Sequence, residues 1–199
     1  MVDYRWFYRL GLRPWERYPQ VAARGIDERL GRESDEHGTP PGRVLDVGCG
    51  RGVYAPGLVR QGWDYVGVDV VPRAVEQAGR RGPDGATFRV ADATDLPADL
   101  GTFDLFLDVG CFQGLAEEGR RGEAASITRL ARPGATLLMM QFQPVRILWF
   151  AGGVSPEDVT TAFAGWRVLD VEPATTAGLG WPMSRTSPTW YRLEWPRAA

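Results

Sequence analysis

The chain has 199 residues, of which 44% are hydrophobic and 24% charged, and its formal net charge is −2. This size and composition fit one α/β domain with a core of its own and exclude a disordered chain. Because the charge is nearly balanced and no block of like charges occurs, the sequence gives no electrostatic support for a nucleic-acid partner.

The amino-terminal segment is unusually aromatic. Six aromatic residues, Tyr8 and Trp15 among them, fall within the first 20 positions. We expect this segment to be ordered, either as a helix packed on the sheet or as a lid over a ligand. A helical pattern then runs from Pro19 to about Leu30.

The stretch from Gly31 to Gly42 is rich in Gly, Ser, Asp and Pro, which predicts a linker. We therefore divide the single domain into a cap and linker over residues 1–42 and a core over residues 43–199. His37 is the only histidine and falls in the predicted linker, so we expect it to be a solvated residue rather than a catalytic base.

From Arg43 onward, short apolar runs alternate with helical patterns. The strand candidates are RVLDVGCG, DYVGVDV, ATFRVADA, FDLFLDVG and ATLLMMQF, and the helix candidates are Val53–Gln61, Arg73–Arg81 and Gly119–Arg132. Strands and helices that alternate at this spacing predict a mostly parallel sheet with helices on both faces. No apolar run reaches the roughly 18 residues of a membrane span, so we expect a cytoplasmic protein.

The carboxyl-terminal part adds one helix and two strands. Ser155 as N-cap and Pro156 at the first helical position begin a helix over SPEDVTTAFAGW. RVLDVEPA and PTWYRLEW follow as strands joined by the loop Gly178–Met183, which contains no helix and predicts an antiparallel hairpin at one side of a seven-stranded sheet. The apolar run Val145–Phe150 predicts a wall of a substrate pocket or a contact between two copies of the chain. In the hairpin loop, Trp181 and Met183 are predicted to be able to reach such a pocket.

Three glycines follow the first core strand directly. Gly48, Gly50 and Gly52 allow a sharp turn and let a ligand approach where a Cβ would collide. Their spacing is one residue short of the dinucleotide pattern GxGxxG. Asp46 precedes them within the strand, where a carboxylate would repel a pyrophosphate but attract an ammonium group. The loop therefore favours an adenosine ligand without phosphates.

Acidic residues follow the next two strands. Asp69 ends the second strand roughly 20 residues after the first glycine, where a carboxylate can accept both ribose hydroxyls. Asp92 ends the third strand and can accept from an adenine amino group. Asp95 lies three residues on, and solvation of either carboxylate is the alternative. A ribose, an adenine, a cationic tail and no phosphate together describe S-adenosylmethionine.

Over roughly residues 40–143, the chain resembles the class I S-adenosylmethionine-dependent methyltransferases. The segments that carry this resemblance, in the order of the family's motifs, are VLDVGCGRG, VGVDV, VADATDLP and FDLFLD followed by ARPGATLLM. The resemblance implies a Rossmann-like fold and S-adenosyl-L-methionine as the cofactor. It also implies a set of cofactor-binding residues near the ends of the first four strands. These are Asp46, Gly48, Cys49, Gly50, Asp69, Val70, Asp92, Ala93 and Asp108.

The flanking segments YRLGLRPWERY and DVGCFQGL resemble the thiopurine- and tellurite-methyltransferase-like branch of small-molecule enzymes. In that branch an amino-terminal aromatic segment covers the cofactor, which implies contacts from Trp15 and Tyr8. Gln113 stands where the branch often has a histidine, which puts a base role at that position in doubt. The implied partner is a small-molecule methyl acceptor, with no nucleic acid or membrane, and a homodimer is one option.

Methyl transfer from a sulfonium asks the protein mainly for proximity, alignment and exclusion of water. If the acceptor must lose a proton, Asp108 at the end of the fourth strand is the catalytic candidate, ahead of Glu117. Cys49 and Cys111 fit small buried residues better than nucleophiles. A cofactor-binding module or sensor without turnover stays open, since no obligatory catalytic side chain exists that could be missing. A nicotinamide-dependent oxidoreductase is disfavoured, because all 23 basic residues are arginine and no lysine can assist hydride transfer.

Overall fold

The computed structural model describes residues 23–142, 153–177 and 186–197. Seven strands form one sheet: β1 (Arg43–Val47), β2 (Asp64–Asp69), β3 (Thr87–Val90), β4 (Phe103–Val109), β5 (Ala131–Phe142), β6 (Arg167–Pro173) and β7 (Pro188–Glu194). The helices are α1 (Ala23–His37), α2 (Ala55–Arg60), α3 (Pro72–Arg81), α4 (Glu117–Leu130) and α5 (Pro156–Ala162). The predictions for Tyr8, Trp15, Val145–Phe150, Trp181 and Met183 lie outside the described residues.

The strand order is β3-β2-β1-β4-β5-β7-β6. The first five strands in chain order pair in parallel, and β7 runs antiparallel between β5 and β6. The predicted fold class and the antiparallel carboxyl-terminal pair are therefore confirmed. From β1 the strand order runs one way to β2 and β3 and the other way to β4 and β5, so the order of the strands reverses at β1. In open α/β sheets, ligands bind at the carboxyl ends of the strands next to such a reversal.

Helices cover both faces of the sheet and give two core layers. Leu45 of β1 faces the layer that contains Ile127 of α4 and Phe163, directly after α5. Val44, one position earlier, faces the layer that contains Leu30 of α1. Because both faces are buried, the central strands need continuous apolar runs rather than an alternating pattern.

The start of α5 follows the sequence prediction. The Ser155 side chain accepts a hydrogen bond from the backbone N–H of Asp158 at 3.1 Å, and the Asp158 carboxylate accepts one from the backbone N–H of Ser155 at 2.8 Å. This capping box satisfies two amides that a helix start leaves without partners.

The predicted linker is wrong for residues 31–37, because α1 continues to His37. Tertiary contacts hold this last part: Trp63 donates its indole N–H to the Ser34 hydroxyl at 2.8 Å. His37 is half-buried, and its Nε2 lies 3.0 Å from the Thr136 hydroxyl oxygen. Burial lowers the pKa of His37 despite the carboxylate of Glu33 nearby, which acts in the opposite direction. The single histidine is thus a packed structural residue and not a solvated one.

A buried ion pair attaches α1 to the sheet. Glu33 is fully buried, and its carboxylate accepts from Arg192 Nε at 2.5 Å and from the Thr136 hydroxyl at 2.7 Å. Arg192 also donates to Glu36 at 2.5 Å. Buried charges are tolerated only when they are paired and hydrogen-bonded, as they are here.

We expect Glu33→Ala to lower the free energy of unfolding by about 3 kcal/mol, because Arg192 would keep a buried charge with only its half-exposed partner Glu36. Urea unfolding measures this loss. Glu76→Ala is the matched control, since the Glu76–Arg80 pair is exposed and its removal should change little. Equal losses in the two variants would contradict the role of the buried pair.

Candidate functional site

The glycine loop lies at the carboxyl end of β1. Gly48, Gly50 and Gly52 have φ angles of 68°, 55° and 68°, which L side chains rarely adopt. A Cβ on Gly48 would lie 2.8 Å from the Cβ of Cys111, and one on Gly52 would lie 2.5 Å from the ring of Phe88. Both positions therefore need glycine for conformation and for space. Gly48 is itself exposed, so its bare backbone is open to a ligand.

Asp69 at the end of β2 holds this loop in place. One carboxylate oxygen accepts from the backbone N–H of Gly50 at 2.9 Å, and the other accepts from that of Val71 at 2.8 Å. Burial raises the pKa of Asp69, and the two amide hydrogen bonds oppose that shift. Each oxygen keeps a further lone pair for an incoming hydroxyl. Val70, the next residue, is 47% exposed and presents an apolar surface.

Asp46 lies beneath the loop and is almost fully buried. The Tyr65 hydroxyl donates a hydrogen bond to its carboxylate at 2.6 Å. Burial raises the pKa of Asp46 to about 7, with the charges of Asp108 and Asp69 acting in the same direction and the Tyr65 hydrogen bond opposing them. A cation bound next to Asp46 would relieve this repulsion.

Asp92 is exposed and caps the short 3₁₀ turn Ala93–Asp95. Its carboxylate accepts from the backbone N–H of Thr94 at 2.9 Å and from the Thr94 hydroxyl at 2.8 Å. The structure therefore brings Asp92 and Ala93 to the same edge of the sheet as Asp69, because β3 pairs with β2.

Asp108 is fully buried at the end of β4. Its two oxygens accept from the backbone N–H groups of Cys111 at 2.7 Å and Phe112 at 3.1 Å. These bonds hold the turn that follows β4, and the side chain has no exposed surface from which to take a proton. The position of Asp108 therefore favours a structural role over the predicted catalytic one. Glu117, the second candidate base, is exposed and pairs with Arg121 at 2.5 Å.

Glu123 of α4 is a buried acid that the sequence reading missed. It is fully buried against Asp108 and Cys111. Burial and the charge of Asp108 raise the pKa of Glu123 well above its usual value, and burial also raises the pKa of Asp108, whose amide hydrogen bonds oppose the rise. The spacing of Glu123, Ile127 and Leu130 puts the three residues on one face of a helix, and this spacing could have predicted that Glu123 is buried.

Both cysteines are free thiols in the core of this region. Cys49 is buried and Cys111 is partly buried, and burial raises the pKa of each thiol. Because the thiolate is the reactive form and burial disfavours it, both cysteines fit packing residues better than nucleophiles. Within the described residues no group of three or more His, Cys, Asp or Glu side chains could hold a metal ion. None of the described helices has the length and apolar character that crossing a membrane requires.

The chain is similar to known methyltransferases. Residues 44–134 match a family model described as a methyltransferase domain. The 2-heptyl-1-hydroxyquinolin-4(1H)-one methyltransferase of Mycobacteroides abscessus is 32% identical over 149 residues, which are 70% of this chain and 65% of that relative. The chain thus spans less than two thirds of the length of this relative.

Two solved structures share the fold. The N-methyltransferase NodS of Bradyrhizobium japonicum, in complex with S-adenosyl-L-homocysteine, has a TM-score of 0.74 at 18% identity, and the match covers 92% of each chain. A TehB-like S-adenosylmethionine-dependent methyltransferase of Corynebacterium glutamicum has a TM-score of 0.67 at 22% identity, covering 92% of this chain and 95% of that one. At these identities the likeness concerns the fold alone.

We expect Glu123→Gln to flatten the dependence of stability on pH. A buried acid whose pKa is raised stabilises the fold below its unfolded pKa, and this contribution is lost as pH rises through the folded pKa. The neutral amide avoids that loss, so its advantage over the native chain should grow with pH by up to about 1.4 kcal/mol per unit.

Urea unfolding between about pH 5 and 8, where native stability is commonly greatest, measures this difference. Glu117→Gln on the same helix is the control, because Glu117 is exposed. Parallel pH curves for the native chain and Glu123→Gln would show that Glu123 is already ionised in the folded state.

Proposed function

We propose that this chain, whose residues 44–134 match a methyltransferase domain, is a class I S-adenosylmethionine-dependent methyltransferase that transfers a methyl group to a small-molecule acceptor. The cofactor of the family is S-adenosylmethionine. The observation that carries the proposal is the glycine loop held by Asp69 above the buried Asp46, all at the carboxyl edge of the sheet.

The residues present fit this cofactor. The backbone of Gly48 is exposed and open to a ligand, while Cys111 packs on the side where a Cβ would lie. Asp69 offers carboxylate oxygens to ribose hydroxyls. Asp46 suits the ammonium group of the amino-acid tail, because a nearby cation favours its ionised form. We assign Asp92 and Val70, which follow the ends of the paired strands β3 and β2, to the adenine side of the cofactor. Ala93, Cys49 and Gly50 are assigned to the same site as their neighbours.

When bound, S-adenosylmethionine supplies a methyl group already activated on a sulfonium. The acceptor's lone pair forms the new bond as the carbon–sulfur bond breaks, so the positive charge at sulfur is neutralised and any acceptor proton goes to solvent. The chain then needs to align the two reactants and exclude water. Alignment of this kind lowers the activation free energy by about 7–11 kcal/mol in well-oriented reactions.

A strong base is not part of this proposal. Asp108 is committed to the backbone of Cys111 and Phe112. His37 contacts Thr136, which pairs with Leu105 near the start of β4, so it lies toward the opposite edge of the sheet. The chemistry therefore fits an acceptor that is nucleophilic near neutral pH, such as an acidic hydroxyl on a heteroaromatic ring, a thiol or a soft anion. A member of the thiopurine- and tellurite-methyltransferase-like branch would take acceptors of this kind.

Methyl-labelled S-adenosylmethionine tests the proposal with a panel of acceptors: 1-hydroxyquinolin-4-one, an aryl thiol, a primary amine and tellurite. We expect labelled product from at least one acceptor, with an equal amount of S-adenosylhomocysteine. Binding of S-adenosylhomocysteine without transfer to any acceptor would instead support a binding module or sensor. Absence of both would contradict the site.

We expect Asp69→Ala to weaken binding of S-adenosylhomocysteine by more than about a hundredfold, because each lost charge-assisted hydrogen bond contributes about 1.5–3 kcal/mol. Isothermal titration measures the affinity, and circular dichroism checks the fold. Asp64→Ala is the matched control, because Asp64 begins the same strand and pairs on the surface with Arg43. Similar affinities in the two variants would remove Asp69 from the site.

A further inference from the structure

Glu123 of α4 and Asp108 at the end of β4 form a pair of buried carboxyl groups beneath the turn after β4. Both side chains are fully buried, and they are in hydrogen-bond contact with each other. Asp46 on the adjacent strand β1 is a third buried acid near Asp108. Buried acids are costly unless their oxygens have hydrogen-bond partners, so the partners of each group decide what the pair can do.

The two carboxyl groups have different surroundings. Each Asp108 oxygen accepts one backbone N–H, from Cys111 at 2.7 Å and from Phe112 at 3.1 Å. By contrast, neither oxygen of Glu123 accepts a hydrogen bond from an N–H or O–H group of the described residues. Asp108 therefore has the surroundings of an acceptor, whereas Glu123 lacks the donors that an ionised carboxylate needs when it is buried.

The nearby arginine does not supply the missing donor. Burial and the charge of Asp108 raise the pKa of Glu123, and the charge of Arg120, three residues earlier on α4, is among the opposing effects. The Arg120 guanidinium donates its hydrogen bonds elsewhere, to the carbonyls of Phe112 at 3.3 Å and Gly153 at 3.0 Å. A proton on Glu123 itself is the donor that would satisfy the contact with Asp108.

The turn that Asp108 binds packs against the glycine loop. Cys111 lies in this turn, and its Cβ and Sγ are 2.8 and 3.0 Å from the place that a Cβ on Gly48 would take. The Cys111 side chain therefore rests on the bare backbone of Gly48. Because Gly48 is exposed toward the carboxyl edge of the sheet, a shift of the turn would move loop backbone that is open to a ligand.

We infer that Glu123 is a positioning residue for the glycine loop: its protonated carboxyl group donates to Asp108 and so keeps Asp108 bound to the turn that packs on Gly48. This inference rests on the proposed function, in which S-adenosylmethionine lies against the loop. Without that donor, Asp108 would face a second acceptor in a buried environment, and its hydrogen bonds to Cys111 and Phe112 would weaken.

Two substitutions of Glu123 separate the hydrogen bond from the filled volume. Glu123→Gln keeps a side-chain donor that needs no added proton, whereas Glu123→Leu keeps a bulky side chain but has no donor. Glu118→Gln and Glu118→Leu are the matched controls, because Glu118 lies on the same helix and is exposed.

We expect Glu123→Leu to weaken the binding of S-adenosylhomocysteine by about tenfold, which is the effect of one lost hydrogen bond to a charged group. Glu123→Gln should bind with nearly native affinity, and both Glu118 variants should be native-like. Isothermal titration measures these affinities. Hydrogen exchange at the backbone amides of Cys111 and Phe112 should be faster in Glu123→Leu than in Glu123→Gln.

Infrared spectroscopy tests the proton directly. A protonated carboxyl group has a C=O stretching band that is separate from the bands of carboxylates. We expect the native chain at neutral pH to show such a band that Glu123→Gln lacks. The difference between the two spectra removes the contribution of Asp46, whose pKa burial raises to about 7. This measurement decides the assignment even if Glu123→Leu does not fold.

Native affinity of folded Glu123→Leu for S-adenosylhomocysteine would overturn the inference, and so would equal losses in Glu123→Leu and Glu123→Gln. A difference spectrum without the carboxyl band would overturn it as well, because Glu123 would then be ionised. If the native chain does not bind S-adenosylhomocysteine, the proposed function fails separately. Hydrogen exchange then tests the turn alone, and native protection of Cys111 and Phe112 in Glu123→Leu would contradict the positioning role.

Discussion

The site depends on one carboxylate. Asp69 accepts hydrogen bonds from the backbone of Gly50 in the loop after β1 and from Val71 at the start of α3, so it joins two elements at the carboxyl edge of the sheet. A further hydrogen bond holds the loop to β2: the backbone N–H of Cys49 donates to the carbonyl of Val68 at 2.9 Å. Three glycines with positive φ lie in this loop, and these hydrogen bonds offset the large conformational entropy that glycine loses on folding.

The electrostatics of the region follow from crowding of acids. Asp46, Asp69 and Asp108 end adjacent strands, and Glu123 lies beneath the last of them. Burial raises the pKa of all four groups, and the charges of neighbouring carboxylates add to the rise for Asp46 and Glu123. Such a surface disfavours phosphates and favours a cation, which is the property that separates a sulfonium nucleoside from a dinucleotide.

Much of the fold could be predicted from the sequence, because short local patterns of residues determine most of its helices and strands. Apolar runs in the sequence predicted the buried parallel strands. Ser155 predicted the start of a helix, and the structure has a capping box at that residue. The predicted linker failed because α1 past Leu30 is held by Trp63 and Arg192, which are distant in the sequence. Local composition could not reveal these partners.

The candidate site divides in the same way. Asp46 near the end of β1, Asp69 at the end of β2 and the glycines after β1 could be proposed from their positions alone, and they stay predicted site residues. Asp108 was also found, but its buried hydrogen bonds to the following turn, which favour a structural role, depend on three-dimensional contacts. The contacts of Arg120 across α4, the turn and Gly153 have no sequence signature at all.

A crystal structure with S-adenosylhomocysteine tests the central claim most directly. We expect the ribose hydroxyls to bind the Asp69 carboxylate and the amino group to lie on the side of Asp46. A product molecule bound elsewhere, or a pyrophosphate compound in this crevice, would contradict the account.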